Sequence, residues 1–325
     1  MGKIGGRLAV WALCWFLCIF VSAQVVYGAP VKRLVILETM RAPIVQQFVE
    51  AFLAKWAELE DTAGFELEIS RLNAEGSRKQ AESLFEKALE KEPHLVLSVA
   101  TMASQVVKKR LAATDIPQLF MCVTDPVGAG LVHEIGRVTD ENITGKVHYI
   151  NADTRVEMVR RIVGESATSN PIRFGYIYTD YPSDISDLDR LLSASAKRED
   201  VDFVPYRIAY RELPQYEEEL LMDLQKAILY LNSRVDYFWA PRGAFAVLPE
   251  HDNTMILYAK KPFLMGATTG SVKKGAMLHI TGDPISQGEQ TADMAFAILK
   301  GRDPGQIPVS LPKTIQFAIN LSTVK

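Results

Sequence analysis

The sequence predicts an α/β protein made of two lobes that are built alike. Three observations lead to this prediction. Short apolar runs alternate with segments of helical spacing over residues 31–123, as buried parallel strands and their connecting helices do. The same alternation restarts after residue 150, and the segment from residue 271 onward holds too few elements to form a domain. That last segment must therefore complete sheets that begin earlier in the chain.

The first half is predicted to contain four strands with helices between them. The helix after the first strand is the clearest, because Val45, Phe48, Phe52 and Trp56 recur on one face and Pro43 stands near its first turn. The strands are expected at residues 31–37, 65–69, 95–99 and 118–123, and two further helices at 77–91 and about 102–112.

The second half repeats this pattern and ends with a distinct segment. Strands are expected at residues 172–178, 201–208, 235–240 and 262–265, and helices at about 154–164, 184–197 and 215–231. Apolar residues then alternate from Ala276 to Ile280, and a helix follows that ends at Gly301. A last alternating strand covers residues 315–319, after Pro304 and Pro308 have stopped the helix.

The N-terminus predicts export. Lys3 and Arg7 precede an apolar run over residues 8–21, which is shorter than the roughly 20 residues of a membrane span but suits a signal-peptide core. Small residues at 21–23 and 26–28 offer two cleavage sites, so residues 1–28 are predicted to be a signal peptide. The alternative is an uncleaved N-terminus that anchors the protein to the membrane.

Charge and cysteine content exclude several classes of protein. The net charge of −3 and the pI near 6.0 argue against nucleic-acid binding, which favours basic faces. Cys14 and Cys18 lie inside the N-terminal apolar run, so Cys122 would be the one cysteine left after cleavage. Because Cys122 stands in an apolar strand, it is predicted to be a buried thiol without a disulfide partner.

The chain lacks the common signatures of catalysis. GxSxG, HExxH, GxxxxGK[ST] and GxGxxG are all absent. The five histidines, His94, His133, His148, His251 and His279, show no metal-ligand spacing. The prediction is therefore a protein that is not an enzyme and that needs neither a cofactor nor a metal.

Two segments carry a resemblance to a known family. Residues 123–132 read VTDPVGAGLV, and residues 271–320 contain the run SVKKGA…GEQTADMAFAILKGRDPGQIPVSLPKTIQFAIN. Both resemble the ABC-importer solute-binding proteins related to the tryptophan/tyrosine-binding group, and residues 142–145 (NITG) are similar to the first crossover of that family. The resemblance extends over about residues 31 to 325.

The resemblance implies an architecture and a function. It implies the type I periplasmic-binding fold, in which two doubly wound parallel-sheet lobes are joined by three crossovers. The lobes are expected at 31–146 plus 275–303 and at 147–274 plus 304–325. It also implies an exported, periplasmic protein that closes on a small molecule and delivers it to an ABC permease and ATPase. A periplasmic sensor or adaptor that acts on a separate membrane partner is the alternative.

Six loops are expected to form the ligand site. In open α/β sheets ligands lie at the carboxyl ends of the strands, so the loops after the predicted strands face the cleft. Hydroxyl and acidic residues there can cap helices as well as touch ligand. Thr101, Thr124 and Asp125 match pocket positions of the family, although Asp125 alternatively fixes the turn at Pro126. The full set of candidate residues is Thr39, Arg41, Thr101, Met102, Thr124, Asp125, Asp180, Tyr181, Asp184, Arg242, Phe245 and Thr269.

The second lobe departs from the family pattern. Relatives often carry a Thr-Asp-Asn phrase where this chain has residues 242–244 (RGA), and a Ser-Asp-Thr-Asp-Ser phrase where it has residues 267–271 (ATTGS). The ammonium of an amino acid needs an acceptor, because an unpaired buried charge is costly. The sequence therefore suggests an anionic or neutral polar ligand and not a standard aromatic amino acid.

Two alternatives to that hypothesis are open at this point. Asp180, Asp184 or Glu38 can supply the missing carboxylate, and Arg242 can lie on the surface away from the ligand. The identity of the ligand and its affinity do not follow from the sequence.

Overall fold

The computed structural model describes residues 29–163 and 169–323 of the chain. The predicted signal peptide at residues 1–28 lies outside the described residues. Two β-sheets organise the rest, one of five strands and one of six. None of the helices in the described ranges combines the length and the apolar character needed to cross a bilayer.

The first sheet holds five parallel strands in the order β2-β1-β3-β4-β5. Its core strands are buried along their whole length because helices cover both faces. The strands are β1 (Val31–Glu38), β2 (Glu66–Asn73), β3 (Leu95–Val99), β4 (Gln118–Val123) and β5 (Ile143–Val147), and the helices are α1 (Pro43–Ala63), α2 (Arg78–Leu89) and α3 (Thr101–Leu111).

The second sheet has the order β11-β10-β9-β8-β6-β7. Its strands are β6 (Ile172–Thr179), β7 (Val201–Ile208), β8 (Tyr237–Trp239), β9 (Phe263–Met265), β10 (Leu278–Gly282) and β11 (Ile315–Ile319). The helices are α4 (Ala152–Val163), α5 (Pro182–Ser195), α6 (Glu217–Leu231), α7 (Pro249–Tyr258), α8 (Thr269–Lys274) and α9 (Pro284–Leu299), followed by a short 3₁₀ turn at Pro304–Gln306. The prediction of two doubly wound α/β lobes is confirmed.

Four details differ from the sequence prediction. Residues 142–145 were expected to cross between lobes, but β5 occupies residues 143–147 and the crossing follows it. Strand β11 runs antiparallel to β10, so the second sheet is not wholly parallel. The helices α7 and α8 were not predicted. The segment 275–303, expected in the first lobe, is divided: β10 pairs with β9 of the second sheet, whereas α9 packs on α1.

Helices α1 and α9 approach closely because Gly288 has no side chain. A Cβ at Gly288 would lie 2.5 Å from the carbonyl oxygen of Phe48 and 2.7 Å from the Cβ of Ala51. We expect Gly288→Ala to lower the free energy of unfolding by about 1–3 kcal/mol, the usual effect of overpacking. Urea titration measures it, with Glu289→Ala on the exposed side of α9 as the control. Equal stability of the two variants would contradict this account of the helix contact.

A buried lysine lies where the chain crosses between the lobes. Lys146 of β5 is 1% exposed, and its Nζ donates to Gln290 Oε1 at 2.8 Å and Ser310 Oγ at 2.9 Å. No carboxylate oxygen of the described residues lies within 4 Å of this ammonium. Burial, aided by the charge of Lys313, lowers the pKa of Lys146 to about 8. Just before the chain crosses between the lobes, the described residues therefore stabilise the ammonium of Lys146 through neutral acceptors alone.

Lys146 predicts a pH dependence of stability. Its folded pKa lies below the ordinary value of 10.5, so the unfolded chain binds more protons between about pH 8 and pH 10.5, and stability rises through that window. We expect the free energy of unfolding of the wild type, minus that of Lys146→Met, to increase by about 1–2 kcal/mol from pH 7.5 to pH 9.5. Urea titrations of both proteins at the two pH values measure this difference. A constant difference would contradict the assigned pKa.

Candidate functional site

A cavity of about 70 Å³ lies where the two lobes face each other. The first lobe supplies the loops after β1, β3 and β4, and the second lobe supplies the loops after β6, β8 and β9. The cavity thus lies at the carboxyl ends of the strands, as the topology predicts. Its lining consists of Thr39, Met40, Ile44, Val45, Ala100, Thr101, Cys122, Thr124, His148, Tyr181, Ser183, Arg242, Gly243, Ala244, Val247 and Ala267.

Two lining residues have a strained backbone. Ala100 has a φ of +69° and Cys122 a φ of +58°, a region that residues with a Cβ rarely adopt. Cys122 also lies in the irregular pairing of β4 with β5. Such strain costs of the order of 1–3 kcal/mol per residue and is concentrated at functional sites. Its location in this cavity supports the assignment of the site.

Arg242 is the cationic residue of the cavity wall. Its side chain is half-buried, and it donates from Nη2 to the carbonyl of Ile280 at 2.6 Å and from Nη1 to Thr281 Oγ1 at 3.3 Å. Within the described parts of the chain, no carboxylate oxygen lies within 4 Å of it. Burial, with the charge of Arg155, lowers the pKa of Arg242 to about 10. The guanidinium therefore stays charged at neutral pH.

A buried ion pair lies behind Arg242. Arg155 of α4 and Asp187 of α5 are 0% and 1% exposed and are paired through the two terminal guanidinium nitrogens. The hydroxyl of Tyr176 donates to Asp187 Oδ2 at 2.9 Å. Burial alone would raise the pKa of Asp187, but Arg155 and then Arg242 hold it below its ordinary value. The negative charge of Asp187 is thus engaged by Arg155.

His148 contributes a neutral polar group to the wall. Its Nε2 lies 3.2 Å from Thr281 Oγ1, and its ring meets Phe48 edge-on at 4.8 Å. Nδ1 is buried and has no hydrogen-bond partner in the described residues. Burial, with the charge of Arg242, lowers the pKa of His148 to about 3, so the ring is neutral at pH 7.

The acidic candidates are engaged elsewhere. Glu38 accepts from Arg71 at 3.0 Å and from Gln46, and Asp180 accepts from Arg207 at 2.8 Å. Asp184 accepts from the backbone and hydroxyl of Thr179, and burial raises its pKa to about 7.

Asp125 lies 2.5 Å from Arg190 of the second lobe. In the described residues, no aspartate or glutamate lines the cavity.

Tyr181 joins the two lobes. It follows β6 of the second sheet, yet its ring is 8% exposed and packs in the first-lobe cluster that contains Met102 and Ala103. Its ring lies 5.1 Å from that of Tyr210. The second lobe thereby contributes an aromatic side chain to the core of the first lobe.

The structure brings part of the predicted site together. Five of the twelve candidates line the cavity, namely Thr39, Thr101, Thr124, Tyr181 and Arg242. Arg242 is not a free surface residue. The other seven candidates lie outside the lining. Arg41 is exposed, Met102 of α3 packs in the first-lobe core, Phe245 packs against His251, and Thr269 begins α8. Asp125, Asp180 and Asp184 bind the partners given above. His148 and Ser183 also line the cavity and were not predicted to touch ligand.

The fold and the inter-lobe cavity define the type I periplasmic-binding class. The family model that describes ABC transporter substrate binding proteins matches residues 36–325, so the chain belongs to that family.

The chain is similar to a tyrosine-binding protein of Clostridioides difficile, with 22% identity over 90% of this chain and 80% of that one. Its fold is similar to that of a conserved domain protein of Vibrio cholerae, with 24% sequence identity, a TM-score of 0.73, and 90% of this chain and 93% of that chain covered. It is also similar to that of a Streptococcus ABC domain in complex with L-Trp, with 20% sequence identity, a TM-score of 0.73, and 89% of this chain and 93% of that chain covered.

Proposed function

We propose that this solute-binding protein is exported, captures a small molecule between its lobes and delivers it to the permease of an ABC importer. The observation that carries the proposal is the cavity at the carboxyl ends of strands from both sheets. A solute in this position touches both lobes at once, so it binds the closed form more tightly than the open form and shifts the equilibrium toward closure. Closure then presents the surface that a permease recognises.

We propose further that the solute is not a standard aromatic amino acid. An amino acid carries an ammonium group, which needs an acceptor charge when it is buried. The carboxylates of Glu38, Asp180, Asp184 and Asp125 are bound by Arg71, Arg207, Thr179 and Arg190 in that order, and the lining itself offers an arginine instead. The tyrosine-binding relative and the L-Trp complex therefore support the fold and the family, and not the ligand.

Thermal unfolding of the signal-free protein against a panel of solutes tests the proposal. Amino acids, sugars, carboxylic acids, nucleobases and vitamins form the panel. A ligand at 100 times its Kd adds about 2.7 kcal/mol to the free energy of unfolding, which raises Tm by several degrees. A shift with tryptophan, tyrosine or phenylalanine would contradict the proposed specificity. No shift with any class would contradict solute capture and favour an adaptor role.

A further inference from the structure

We infer that the solute is a small monoanion, a carboxylate with an apolar body and without an ammonium group, and that Arg242 binds its charged end. This inference rests on the proposed function, because it names the chemistry of the solute that the inter-lobe cavity takes.

The first step is the charge of the wall. Arg242 contributes a full positive charge, whereas His148 and the other lining groups are neutral at pH 7. Burial raises the pKa of the Cys122 thiol to about 12, so it does not supply a thiolate. No aspartate or glutamate of the described residues belongs to the lining. The wall therefore carries one net positive charge.

The second step is the balance of charge behind the wall. Asp187 is bound by Arg155 on both oxygens and accepts from Tyr176 as well, so its negative charge is matched within that network. Arg242 adds a second guanidinium nearby, without a carboxylate partner within 4 Å in the described chain. A half-buried cation without a partner is costly, and a bound anion removes this cost. The cavity thus favours a solute with a negative charge.

The third step is the placing of hydrogen-bond groups. Ile280 and Thr281 account for two of the five N–H groups of the Arg242 guanidinium, which leaves others for a carboxylate. Nδ1 of His148 lies in the same wall and has no partner among the described residues. The hydroxyls of Thr101 and Thr124 also line the cavity. These groups suit a carboxylate with an adjacent polar oxygen.

The fourth step is the character of the remaining wall. Met40, Ile44, Val45 and Val247 line the cavity with aliphatic side chains. An apolar body gains about 25 cal/mol for each Å² that it buries there, whereas a hydroxyl buried against these four side chains would have no partner among them.

Isothermal titration with a matched set of four-carbon compounds tests the inference. Butyrate and 2-oxobutyrate carry the charge, butyramide has nearly the shape of butyrate without the charge, and 2-aminobutyrate adds an ammonium. We expect at least one of the two acids to bind at least tenfold more tightly than butyramide and 2-aminobutyrate. Because this comparison uses the wild type, it does not depend on the folding of a variant.

An arginine variant locates the binding group. Arg242→Met is expected to weaken acid binding at least 100-fold, whereas Arg161→Met, which removes an exposed arginine, should leave it unchanged. Thermal unfolding of both variants checks that they fold. Equal or tighter binding of butyramide or 2-aminobutyrate would overturn the inference, as would undiminished binding by a folded Arg242→Met protein.

The outcomes separate this inference from the proposed function. Binding of a sugar or an amino acid, with no response to the acids, would overturn the anion inference and leave solute capture standing. No response to the acids or to the larger panel of solutes would contradict both.

Discussion

Removing one partner of the Arg155–Asp187 pair is expected to lower the free energy of unfolding by about 3–5 kcal/mol. Both side chains are fully buried, and Asp187 binds Tyr176 as well. Asp187→Asn keeps the shape of the side chain but leaves Arg155 charged and without its counter-charge, in a region that already contains Arg242. Thermal unfolding should show a fall in Tm on the order of 10 °C, at 2–4 °C for each kcal/mol.

Arg161→Met on the same helix is the matched control. Arg161 also pairs with an acidic residue, Glu157, but its side chain is 75% exposed, so its loss should cost under about 1 kcal/mol. The double variant Arg155→Met with Asp187→Leu should recover most of the lost stability, because it removes both charges of the pair together. A fall in Tm no larger than that of Arg161→Met would contradict the role assigned to the pair.

Replacing Tyr181 by alanine is expected to weaken solute binding at least tenfold. The ring packs in the first-lobe core, so its loss removes contacts that hold the lobes together. When the closed form is less populated, the apparent Kd rises in proportion. Titration with the solute that stabilises the wild type measures the effect.

Tyr181→Phe is the control for this change. It keeps the ring in the cluster and removes only the hydroxyl, so its affinity should fall less than that of Tyr181→Ala. Wild-type affinity in a folded Tyr181→Ala protein would show that the contact between the lobes plays no part in binding.

The alternation of strands and helices and the parallel direction of most strands were predictable, but the direction of β11 and the sheet that β10 joins were not. Apolar runs such as residues 95–99 and 118–123 fixed the buried strands of the first sheet. β5 was not predicted because Lys146 interrupts its short apolar run. This lysine can be buried because Ser310, from a distant segment of the chain, accepts from its ammonium group. The antiparallel pairing of β11 and the place of β10 in the second sheet depend on contacts between distant segments. α7 was missed because its residues show little helical periodicity in hydrophobicity.

The lining residues were predictable where their position directly after a strand places them in the cavity. Thr39, Thr101, Thr124, Tyr181 and Arg242 line the cavity because they follow strands whose carboxyl ends meet there.

The acidic candidates lie outside the lining for another reason. Asp125 and Asp180 follow strands in the same way, but Arg190 and Arg207 bind them, and those pairs are set by tertiary packing. His148 enters the wall from the crossing after β5, where no local pattern distinguishes a lining residue.

Hydrogen exchange with and without a stabilising solute tests the central claim, that one solute bridges both lobes. The account predicts slower exchange in residues 39–45 and 100–102 of the first lobe together with residues 242–247 of the second, at the same solute concentration. Slower exchange confined to one lobe, or in neither set of residues, would contradict capture in the inter-lobe cavity.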